Sequence, residues 1–136
     1  MAELIWKQPL EAVPDYWKLW MDRFYEYVGN PNDPEDRKIM EAKSPIFRVD
    51  DIKKPLLIAQ GGNDPRVKQI ESDQMVAALR KAGKEVEYLL AHDEGHGFRF
   101  WKNRLLFYRK TEDFLAKHLG GRSNGFDYYQ IGLLIY

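Results

Sequence analysis

PLLIAQGGNDPRVKQIESDQMVAALRKAGKEVEYLLAHDEGHGF, residues 55–98, is the stretch from which the rest of the chain is read. Its first apolar run, PLLIAQ, is short and is bounded by Pro55 and by Gly61-Gly62, which favours a buried strand over a helix. GGND reads as a tight turn. From about Lys68 to Ala82, Ile70, Val76, Leu79 and the alanines supply one apolar helical face, and Gly83 stops the helix. EVEYLLA then reads as a second strand. A strand, a crossover helix and a strand of this length form a βαβ unit, so the two strands should be parallel. Asp64 and His96 fall a few residues beyond the ends of those strands.

The flanking sequence can be placed around this unit. On its C-terminal side, Asn103 is the expected N-cap of a long helix ending near Leu119. Leu106, Phe107, Phe114, Leu115 and Leu119 form its apolar side, and Gly120-Gly121 closes it. Residues 121–136 have no helical period and read as an extension, with a short strand at its end. On the N-terminal side, residues 1–13 have no clear period. Trp17, Trp20, Met21, Phe24, Tyr25 and Val28 then recur at helical spacing, with Pro14 suited to the first turn and Gly29 to the C-terminal cap. Trp17 and Trp20 read as packing residues in preference to substrate contacts. Asp33-Pro34 followed by Glu35 and Asp36 starts a short helix that stops before Ser44-Pro45. IFRVDDIKK links that helix to the first strand.

Composition narrows the class. The chain has 136 residues, enough for one ordinary domain, with 44% hydrophobic and 31% charged residues, the balance of a globular protein. Basic and acidic residues number 21 each, so no global field favours nucleic acid or an anionic membrane. Without cysteine there is no disulfide, no thiolate metal site and no cysteine nucleophile. Glu3, Lys7, Glu11 and Asp15 interrupt the N-terminus where a signal peptide would need an apolar core. IGLLIY at the other end is far short of the roughly 20 residues that span a bilayer. A soluble, cytoplasmic location is the expectation.

Asp64 and His96 form the one constellation with evident chemistry. In an open parallel sheet, site residues gather outside the carboxyl ends of the strands, and both residues project from that edge. A carboxylate there can accept a hydrogen bond from imidazole Nδ1–H, leaving Nε2 free to take a proton. Gly61, Gly62, Gly95 and Gly97 suit backbones that turn sharply to present a side chain. Spacing alone leaves two readings open, a catalytic pair or an ordinary buried or capped histidine. A zinc site at His92 and His96 is disfavoured. Asp93 stands where a zincin needs glutamate, Gly95 interrupts the run, and a strand precedes it in place of a helix. His92 reads as a solvent-facing loop residue. His118 sits where the C-terminal end of a helix dipole favours it.

GGNDPRVK followed about thirty residues later by DEGHGF resembles the C-terminal part of the prolyl oligopeptidase family of serine peptidases, the group with acylaminoacyl and dipeptidyl peptidases. PDYWKLW, VGNP and SPIFRVDDIKKPLLIAQG upstream are similar too, so the resemblance covers roughly residues 10–120. It implies an α/β class, here the C-terminal portion of an α/β-hydrolase fold with parallel strands, flanking helices and an incomplete sheet. Residues 1–120 would be that portion and 121–136 an extension. It also implies Asp64 as the triad acid, His96 as the general base and Arg66 as a structural contact of the turn. The sequence departs from the family at Lys68, often proline, and at Gln60, often histidine; neither departure is expected to touch the triad.

The larger departure is the nucleophile. α/β-Hydrolases run Ser, Asp, His along the chain, with the serine in a G-x-S-x-G elbow. Ser44, Ser72 and Ser123 are the only serines, and none stands in that setting. The elbow, the oxyanion-hole loop and most strands are therefore expected before Met1, and the chain alone is expected to be inactive. The expected partners are a peptide substrate in the complete enzyme and the preceding portion of the enzyme or a second copy. No cofactor, metal, nucleic acid or membrane is expected. Two alternatives remain open: an esterase-like or dienelactone-hydrolase-like fragment, and a non-catalytic interaction module built on the aromatic surface.

Overall fold

The structure, a computed structural model, describes residues 19–124, with the side chains of Asp22 and Phe24 excepted. The expected helix start at Pro14, Trp17 and the expected terminal strand lie outside those residues. The described elements are α1 (Met21–Val28), α2 (Pro34–Lys43), a 3-10 segment (Pro45–Asp51), β1 (Leu56–Gly61), α3 (Gln69–Lys81), β2 (Val86–Ala91) and α4 (Trp101–Leu119).

β1 and β2 are parallel and in register from Leu56 opposite Val86 to Gly61 opposite Ala91. The βαβ reading therefore holds. Parallel pairing follows from α3, which carries the chain back along the sheet before β2 begins. α3 packs on both strands and on the 3-10 segment. Val76 and Leu79, one helical turn apart, are buried beneath it, whereas Ile70 stays 43% exposed. Tyr88 on β2 donates its hydroxyl to Asp73 Oδ1 on α3 at 2.8 Å. Burial, then the Asp73 carboxylate, push that phenol up to about 12, so it remains a donor.

Upstream, the helix expected from Pro14 does not run through Leu19 and Trp20, which form a turn before Met21, whereas the signals around α2 act as the sequence implies. Asp33 Oδ1 accepts the amides of Glu35 and Asp36 at 2.9 and 3.1 Å, satisfying orphan donors at the start of α2. α2 ends at Lys43, before Ser44-Pro45. Gly29 closes α1 at φ +114°. IFRVDD is mostly 3-10 helix where only a link was expected. Trp20 is 57% exposed with the Arg23 guanidinium 5.8 Å from its ring, so the described elements leave most of it uncovered.

Only Met40, Val76, Leu79 and Ala91 are buried hydrophobic residues among those described. The outer edge of β1 has no strand beside it in the described sheet. Two strands bury little on their own, which explains why large apolar side chains such as Tyr27 and Tyr108 remain on the surface.

Candidate active site

The turn after β1 is built by Asp64. Its Oδ1 accepts the backbone amides of Arg66 at 2.8 Å and Val67 at 3.0 Å, an arrangement typical of aspartate turns. Arg66 thus makes the turn contact through its backbone N–H. The other oxygen, Oδ2, lies 2.9 Å from His96 Nδ1. The Asp64 side chain is 8% exposed, against 49% for His96. Burial works against ionisation of Asp64, but the amides of Val67 and Arg66 and the imidazole together hold its carboxyl below the usual range. An ionised carboxylate only accepts, so the contact requires a proton on Nδ1, and in the neutral ring Nε2 is then the nitrogen with the lone pair. The structure brings together the two residues singled out in the sequence.

Two loops must meet for this contact, and the glycines show how. A Cβ on Gly61 would lie 2.1 Å from Gly95 O and 2.7 Å from Glu94 O. A Cβ on Gly62 would lie 2.9 Å from the His92 backbone. Both are needed for close approach of the His96 loop, reinforced by Asn63 N–H donating to Glu94 O at 2.8 Å. Gly97 does adopt a left-handed backbone, φ +120°. Gly95 needs neither reason: a Cβ there meets nothing closer than 3.9 Å.

Asn103 is not the N-cap of α4. The helix starts at Trp101, with Phe100 as its cap residue and no side-chain cap from Phe100 itself. Glu94, only 1% exposed, fixes the segment that enters the helix. Its carboxylate accepts the amides of Arg99 and Phe100, each at 2.8 Å, and the Asn103 side-chain amide at 3.0 Å. Sequence reading missed Glu94 because it lies outside the helix, across the glycine and histidine of the loop. Its signal was a glutamate at the mouth of a loop whose far end opens a helix. Burial opposes its charge, but these donors and the nearby Arg104 guanidinium hold the carboxyl below its ordinary value of 4.5.

A pH prediction follows with a defined sign. Glu94 is more acidic folded than unfolded, so its stabilising contribution is complete above the unfolded value and is lost as pH falls through the folded one. Glu94→Gln should therefore lower stability near neutrality and flatten the decline below about pH 4.5, read by denaturant midpoints against pH. Parallel acid limbs for the two proteins would contradict the assignment.

The remaining residues considered in the sequence divide clearly. His92 is exposed. His118 packs against Phe114 with ring centroids 4.5 Å apart and faces Glu85 at 3.8 Å. Among the described residues, no group of three or more His, Asp or Glu is arranged to hold a metal. Ser72 Oγ donates to Gln60 Oε1 at 2.6 Å, and Ser123 is hydrogen-bonded to Asp113. Gln60 Nε2 donates to Val67 O at 3.0 Å, at the far end of the Asp64 turn, without a hydrogen bond to Asp64 or His96 themselves. A cleft of about 540 Å³ opens beside the pair, lined by Ala59, Val67, Phe98, Arg104 and Phe107 among others. No helix among the described residues is long and apolar enough to cross a membrane.

Parallel strands that deliver an acid and then a histidine to one edge define part of an α/β-hydrolase fold. Solved structures agree. A puromycin-hydrolyzing peptidase of Mycobacterium tuberculosis superposes with TM-score 0.71 at 26% identity, over 89% of this chain and 18% of that one. An acylaminoacyl peptidase of Pyrococcus horikoshii gives TM-score 0.63 at 27% identity, over 85% and 19%. Residues 12–122 match the profile of the prolyl oligopeptidase family, and the chain belongs to that family of serine peptidases. Dipeptidyl aminopeptidase BIII of Pseudoxanthomonas mexicana is 47% identical over 114 residues, 84% of this chain. Dipeptidyl peptidase family member 6 of Caenorhabditis elegans is 44% identical over 118 residues, 86% of this chain. The chain spans 16% of the length of each of these two relatives.

Proposed function

We propose that this chain supplies the acid and the base of a serine-peptidase triad, Asp64 and His96, whose nucleophile is carried by polypeptide outside these 136 residues. The observation that carries this reading is the 2.9 Å contact between Asp64 Oδ2 and His96 Nδ1. The aspartate holds the imidazole in the tautomer whose Nε2 can take a hydroxyl proton, and it would stabilise the imidazolium formed during attack. Nε2 would then return the proton to the leaving amine, completing acylation of the serine; water repeats the cycle to release the acid. Residues 1–120 form the catalytic-domain portion in this reading, and 121–136 extend from it.

A peptide substrate is favoured by the relatives' names, which are those of dipeptidyl peptidases. The half-buried strands, the free edge of β1 and the exposed aromatic residues fit a partner that continues the sheet. The 136-residue chain alone should give no turnover of a chromogenic dipeptide substrate or ester. Turnover that His96→Ala abolishes would overturn the external nucleophile, since the chain would then hold a complete site.

A further inference from the structure

Beyond the two triad residues, the buried carboxamide of Gln60 makes contacts that bear on where Asp64 stands. Gln60 is 6% exposed at the end of β1. Its Nε2 donates to its neighbour's carbonyl, Gly61 O, at 2.9 Å and to Val67 O at 3.0 Å. Its Oε1 accepts the Ser72 hydroxyl at 2.6 Å. Three elements therefore meet on one side chain: the strand, the far end of the Asp64 turn and the first part of α3. Val67 is held from both sides, since its N–H donates to Asp64 Oδ1 while its C=O accepts from Gln60.

We propose that Gln60, oriented by Ser72, is a positioning residue that latches the Asp64 turn to β1 and so sets the Asp64–His96 contact. The amide is suited to this because it offers two donors and an acceptor without charge, and all three uses are satisfied in a buried place. An apolar replacement would leave the Val67 carbonyl and the Ser72 hydroxyl without that partner, and the turn would lose its tie to the sheet. This inference deepens the triad reading and rests on it, so its test reads geometry and not hydrolysis.

The measurement is nitrogen-15 NMR of the 136-residue chain, at a pH where the imidazole is neutral. The wild-type His96 should show the Nδ1–H tautomer. In Gln60→Leu, the His96 signals should move toward the Nε2–H form. The Arg66 and Val67 amides should exchange roughly fivefold faster, the scale of one hydrogen bond, while the β1–β2 ladder amides keep their rates. Gln60→His, which retains an N–H donor, should restore much of both signals. Ser72→Ala, a mild change within a helix, should give a smaller shift of the same kind.

Unchanged tautomer and exchange in Gln60→Leu would overturn the latch while leaving the triad reading intact. Faster exchange at every amide alike would also overturn it, since Gln60 would then carry only general stability. Absence of the Nδ1–H form in the wild type would instead remove the acid–base pair itself. If Gln60→Leu does not fold, Ser72→Ala decides: a change confined to the turn supports the latch, and no change overturns it.

Discussion

Replacing His96 by alanine, in a polypeptide that carries the whole catalytic domain, is expected to lower the rate of peptide hydrolysis by roughly 10³- to 10⁶-fold. The loss is large because His96 would serve twice, taking the proton from the serine and giving it to the leaving group. Asp64→Asn should cost about as much as the lower part of that range, near 10⁴. An asparagine can turn its amide nitrogen toward the ring, which makes Nδ1 the acceptor and leaves the proton on Nε2. The base would then face the serine with no lone pair. Steady-state kinetics of the purified variants are the check, and a near-normal rate in either would remove that residue from the triad.

Gly61→Ala is expected to be the most damaging of the single glycine changes in this region. The added methyl would lie 2.1 Å from the Gly95 carbonyl oxygen, which is backbone and cannot turn aside. One of the two loops must shift, at a cost of about 3 kcal/mol, the upper end of typical overpacking penalties. Because the displaced loop carries His96, the 2.9 Å contact with Asp64 should lengthen too. A misplacement of about 1 Å can cost roughly 10²-fold in rate. Gly95→Ala, across the same gap but with its nearest atom 3.9 Å away, should change stability by less than about 0.5 kcal/mol. Denaturant midpoints and rates for the pair, measured in the same whole-domain protein, decide the matter. Equal effects would mean that close approach is not why Gly61 is glycine.

That contrast also shows where sequence reading stops. Gly61, Gly62, Gly95 and Gly97 look alike in a loop-rich stretch, and turning freedom is the natural explanation for all four. Only Gly97 among them has the backbone that requires it. Gly61 and Gly62 are required by a neighbouring loop about thirty residues away, which no local pattern records. The start of α4 went astray for a related reason. Asn103 has the chemistry of a cap, but it lies inside the helix and its side-chain amide donates to Asp93 and Glu94 across the loop. The aromatic stripe of α1 signalled a packing surface, yet Trp20 is largely exposed among the described elements.

By itself the sequence determined the βαβ unit, its parallel strands and the placing of Asp64 and His96 on one edge. Those follow from apolar period, turn residues and crossover length, all of which act within a few residues or through one connection. The family motifs could be read in the same stretch, because GGNDPRVK and DEGHGF are the two turns that close its strands. Tertiary structure alone decided what holds the pair at 2.9 Å across 32 residues of chain. The Asp64–His96 contact, the Asn63–Glu94 backbone bond and the gap at Gly61 all join segments that meet only after α3 has brought β2 beside β1. Hydrogen bonds and close approach depend on ångström-scale positions, and those exist only once the two strands have paired.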